Sequence, residues 1–122
     1  MDTTRYDLAD CFAPDPASPS RRFLVKEPGL TMLYLTLMPG QAMPVHNHPG
    51  CNVTIHGMVG EATVWLDGEE HPLGAQQLIC FSGERMVSPR NKGDAPAAVL
   101  ITLGEVAVPG AQAEKAAVGP TA

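Results

Sequence analysis

Pro39-Gly40-Gln41-Ala42-Met43-Pro44-Val45-His46-Asn47-His48-Pro49-Gly50 is the stretch whose spacing and chemistry organise the rest of the chain. His46 and His48 are two residues apart. On an extended segment such residues project to the same side, so both imidazoles can converge on one metal ion. Imidazole serves iron, nickel, copper, manganese and zinc alike, and the pair by itself selects none of them. The plainer alternative is a surface loop whose two histidines face water.

Outward from this stretch the sequence breaks into short strands separated by turn residues. Arg22 to Glu27 runs into Pro28-Gly29, and Leu30 to Met38 into Pro39-Gly40. Leu33, Leu35 and Leu37 recur at period two, as a strand with one buried face requires. Glu61 to Leu66 alternates and ends at Asp67-Gly68, a dipeptide favoured in tight hairpin turns. Gln77 to Phe81 and Ala97 to Leu103 are further strand candidates. No window sustains an apolar 3.6-residue period. About seven or more strands, roughly ten residues apart, predict an all-β sandwich or barrel. Three prolines between Ala13 and Ser20 mark a loop or extended lead-in. The expected division is a lead-in over 1–21, a barrel over 22–108 and a tail over 109–122, in which 111–118 could form two helical turns.

Composition narrows the function classes. The chain has 122 residues, 44% hydrophobic and 17% charged, enough apolar material for one domain with a core. Its formal charge of −5 disfavours a phosphate-tracking surface, so no nucleic-acid partner is expected. No apolar run approaches the roughly 20 residues that span a bilayer, and no membrane partner is expected. Met1 to Asp7 has neither the basic nor the apolar region of a secretory signal, which points to a cytoplasmic protein. Cys11, Cys51 and Cys80 form no CxxC pair, and reduced thiols are the plain reading.

The histidine stretch resembles the first motif of the cupin superfamily: a glycine, five residues, HxH, three or four residues, a glutamate, six residues and a glycine. Gly40, His46-Asn47-His48 and Gly60 fill the matching positions. The continuation Gly60 to His71 looks like the hairpin that follows in small single-domain cupins of the RmlC-like type. The resemblance covers about residues 30 to 103. It implies a double-stranded β-helix, that is a jelly-roll barrel of two antiparallel sheets, and commonly a homodimer. His46-Asn47-His48-Pro49-Gly50 also looks like the corresponding stretch of thiol dioxygenases, cupins that hold ferrous iron with three histidines.

This chain departs from the motif at two positions. The glutamate position falls on Val53. Setting the end of the second motif on Asn91 places Gln76 and Glu84 at its glycines, Ser82 at its proline and Val87 at its histidine. Two of the four usual ligands are therefore valine, which coordinates nothing. Cys51, with a methionine such as Met86, could complete a copper set. His56 is expected to face outward if Val53 faces in, and His71 to be solvated beside a hairpin. Cys51 and Cys80 read most simply as small buried residues. Arg85, Arg90 and Lys92 could receive an anion at the barrel mouth or simply form a solvated rim.

Two readings of different class follow. In one, His46 and His48 hold a divalent metal (iron, nickel, copper, manganese or zinc) in an enzyme of the dioxygenase, isomerase or lyase type acting on a small molecule. In the other, the barrel is a metal-free binding module whose apolar pocket, lined partly by Val53 and Val87, captures a small organic ligand.

Overall fold

A computed structural model describes residues 1–106 of the chain; the expected tail and its helical turns lie outside the described residues. Eight strands are present among them: β1 (Ser20–Glu27), β2 (Leu30–Leu37), β3 (Cys51–Val59), β4 (Glu61–Leu66), β5 (Glu69–Gly74), β6 (Leu78–Ser82), β7 (Val87–Arg90) and β8 (Ala97–Glu105). They form two antiparallel sheets, a five-stranded one in the order β1-β2-β8-β3-β6 and a three-stranded one in the order β5-β4-β7. This is the all-β architecture that the strand rhythm predicts, in the double-stranded β-helix form that the resemblance implies.

Cross-strand register shows which residues point inward. Leu35 lies opposite Val99 and Leu33 opposite Ile101, while Ile101 and Leu103 in turn face Ile55 and Val53 on β3. Directly opposed residues share a face, so this one ladder assembles most of the core. Leu35, Val53, Ile55, Val64, Leu66, Val87 and Val99 are all buried in it. The outer face of the same sheet is covered locally by the N-terminal segment. There a 3-10 turn at Leu8–Cys11 places Cys11 against Tyr34 and Ala98. Ala13 donates its amide to Thr36 Oγ1 at 3.2 Å, and Tyr6 donates its hydroxyl to the Leu24 carbonyl at 2.8 Å.

Turn chemistry fixes the rest. Asp67 and Gly68 both take positive φ, 48° and 89°, as a primed two-residue hairpin requires. Gly60, at the closing position of the first motif, has φ of 61°, and a Cβ there would meet the Pro96 carbonyl at 2.6 Å. Gln76 takes φ of 66° where the second motif has glycine. Asn91 is buried and fully bonded. Its Nδ2 donates to the Leu37 and Ala95 carbonyls, and its Oδ1 accepts from the Gly93 amide.

Candidate functional site

The histidine segment is held as an extended ribbon between two backbone anchors. His46 exchanges both backbone hydrogen bonds with Val87, at 3.1 and 2.7 Å. Two residues on, the His48 amide donates to the Gly83 carbonyl at 2.7 Å, and Gly83 donates to the Cys51 carbonyl at 2.7 Å. Gly83 must lack a side chain, because a Cβ there would meet the His48 carbonyl at 2.1 Å. With both ends pinned, period-two geometry sends the two imidazoles to the same side.

The rings meet edge to face with centroids 4.6 Å apart, and their Nε2 atoms are separated by 2.9 Å. His46 Nδ1 lies 2.7 Å from the Pro44 carbonyl, which only accepts, so Nδ1 carries the proton and Nε2 the lone pair. Without a metal, His48 Nε2–H therefore donates to His46 Nε2. With one, both Nε2 lone pairs can turn to the same ion, and the Pro44 contact is the kind of outer hydrogen bond that orients a ligating histidine. Burial, and secondarily the neighbouring His46, lowers the His48 pKa from its ordinary value, which keeps that ring neutral and able to ligate.

The pair stands at the mouth of a cavity of about 140 Å³. Its walls are Leu33, Leu35, Ile101 and Leu103 from the five-stranded sheet, with Met43 and Pro89 beside the histidines. Arg21 and Phe23 of β1 complete it. The sequence reading misses these last two. Arg21 precedes the strand expected from Arg22 onward, and only the pairing of Arg21 with Leu35 and of Phe23 with Leu33 puts both on the inner face.

Several expected participants are elsewhere. Val53 and Val87 are buried in the main core and do not line the cavity. Val87 does stand directly opposite His46. Cys51 and Met86 are also outside the cavity wall; Met86 is exposed in the turn before β7, its amide bonded to Asp67 Oδ1. Among the described residues no group of three or more histidine, cysteine, aspartate or glutamate side chains is gathered. His56 pairs with Leu78 and Leu100 on the outer face of the five-stranded sheet, and His71 lies near Glu69 on β5. Cys80, expected to be buried, is exposed because its partner Thr54 alternates out of phase with Val53.

The basic cluster is not at the cavity either. Arg85 is paired with Asp67 at 2.8 Å, Lys92 with Glu70, and Arg90 lies 5.2 Å over the Trp65 ring. A larger hollow of about 400 Å³ between the N-terminal residues and β1 is remote from the pair, and neither histidine nor cysteine lines it.

A family model described as "Cupin domain" matches residues 33–103. The TT1209 protein from Thermus thermophilus is similar over 83% of this chain and 96% of its own, at 23% identity and a TM-score of 0.77. An RmlC-like cupin protein from Desulfovibrio desulfuricans covers 84% of this chain with 97% of its own, at 19% identity and a TM-score of 0.75. The structure of KdgF from Halomonas sp. matches 88% of this chain and 97% of its own at 13% identity, with a TM-score of 0.71. At these identities the likeness speaks to the fold. No curated protein matches the sequence.

Proposed function

The chain belongs to the cupin domain family, and from that premise we propose that it holds a divalent metal through His46 and His48 and acts on, or binds, a small organic molecule in the adjoining cavity. One observation carries the reading: two Nε2 atoms 2.9 Å apart, the His46 lone pair fixed by the Pro44 carbonyl. Two imidazoles so placed fit a metal held by a partial protein set, with the remaining positions left to water or ligand. Iron, nickel, copper, manganese and zinc all accept such a set. A metal there would supply Lewis-acid polarisation of a ligand oxygen, or the redox chemistry of its own kind.

The chain's own residues do the rest. Pro44 and the Val87 and Gly83 anchors orient the imidazoles, and the leucine and isoleucine walls exclude water and receive an apolar body. A cytoplasmic homodimer is part of the proposal. Three free thiols suit a reducing compartment, and the family is commonly dimeric. The described residues contain no helix long and apolar enough to cross a membrane. The test is metal content of the wild type against the His46→Ala/His48→Ala variant: loss of metal with the barrel still folded supports the assignment, and unchanged content removes it. A wild type without metal that still captures a small molecule would move the protein to the metal-free binding class.

A further inference from the structure

An exposed cation on the edge strand β1 lines the histidine cavity. Arg21 sits opposite Leu35 on the inner face of β1 and shares the 140 Å³ cavity with His46 and His48. The other basic side chains of the strands and turns are engaged. Arg85 and Lys92 are paired with carboxylates, while Arg22, Lys26 and Arg90 lie over the rings of Tyr6, Phe23 and Trp65. Among the described residues Arg21 has neither kind of partner. It lies outside the span 33–103 that the family model matches.

Around that guanidinium the walls are hydrocarbon: Phe23, Leu33, Ile101 and Leu103. A ligand that fits must be apolar for most of its length and anionic at one end. A cavity of about 150 Å³ lined by such side chains holds a benzene-sized molecule, which sets the body at roughly six heavy atoms. The guanidinium fork matches the two oxygens of a carboxylate.

We propose that the histidine pocket selects a small organic acid, its carboxylate on Arg21 and its apolar body against Leu33, Ile101 and Leu103. This rests on the reading that the pocket receives a small organic molecule, and it names the class of that molecule. The competing role for a charge on β1, the edge strand of its sheet, is to discourage pairing with another sheet. That role predicts a change in association and none in ligand choice.

The probes are benzoate, hexanoate and the neutral benzamide, titrated by calorimetry and protein NMR into the full chain, wild type and Arg21→Gln, before and after metal loading. The expected result is that one or both acids bind in the cavity, benzamide binds at least tenfold more weakly than benzoate, and Arg21→Gln weakens acid binding about tenfold. Equal binding of benzoate and benzamide overturns the proposal, as does an Arg21→Gln variant of undiminished acid affinity or a wild type that binds neither acid. A variant that only aggregates or changes its oligomeric state, with ligand preference intact, assigns Arg21 to edge protection instead. Arg21-dependent binding in a protein that retains no metal would leave this inference standing and remove the metal reading. Metal retained on the histidines with no acid bound would do the reverse.

Discussion

His46 and Val87 face one another across the barrel mouth as a doubly hydrogen-bonded pair, with backbone N···O distances of 3.1 and 2.7 Å. A pair of this kind puts both side chains on one face with Cα atoms about 5.5 Å apart. The valine, at the histidine position of the second motif, therefore shares a face with the imidazole, although it is buried in the core and does not line the cavity.

Restoring that ligand is the first prediction. Val87→His adds an imidazole on the same face as His46 and should tighten metal retention at least tenfold, read by competition with a chelator. In the metal-free state the buried ring has no partner, so unfolding by urea should show a loss of about 1–3 kcal/mol that metal reverses. Unchanged retention would mean that residue 87 does not address the site.

Gly83→Ala tests the anchoring of the pair. The added methyl would collide with the His48 and Cys51 carbonyls at 2.1 and 2.6 Å, so the histidine ribbon must shift. A stability loss of about 1–3 kcal/mol is expected together with weaker metal retention. Lost stability with full metal affinity would show that the anchor serves the fold alone.

Asn91→Ala removes three hydrogen bonds at a buried position that does not itself line the cavity and strands the Leu37 and Ala95 carbonyls and the Gly93 amide. Chemical denaturation should report a loss of about 2 kcal/mol or more. Metal content per folded chain should be unchanged, which separates this position from the site.

In the metal-free chain His48 titrates below its ordinary value of about 6.5, chiefly because the ring is buried and next because His46 is beside it. The unfolded chain then binds the proton more readily than the native one. The His48 contribution to stability is complete above about pH 6.5 and declines as pH falls below it toward the lowered native value. Denaturation midpoints of wild type and His48→Gln across pH 4.5 to 8 should converge in acid; a parallel pair of curves would contradict the burial account.

Much of the fold is legible in one strand at a time. Leu33, Leu35 and Leu37 declare β2, and Asp67-Gly68 declares the β4–β5 hairpin. β5 and β7 are less visible, because Pro72 and Pro89 interrupt short polar stretches. Both strands lie at the edges of the three-stranded sheet, where a missing amide is tolerated. The histidine pair is legible because its two members lie on one segment. Arg21 is not, since its place on the cavity wall depends on its register with Leu35 on the next strand, and a charged residue before a strand reads as solvated. Charge grouping alone also misleads for Arg85, Arg90 and Lys92, whose partners Asp67, Trp65 and Glu70 come from β4, β5 and the turn between them.

The most direct measurement is elemental analysis of the purified, untagged protein, expressed as metal per chain. The account predicts close to one equivalent of iron, nickel, copper, manganese or zinc in the wild type and none in His46→Ala/His48→Ala. A wild type that stays empty after soaking in each of these ions would contradict it.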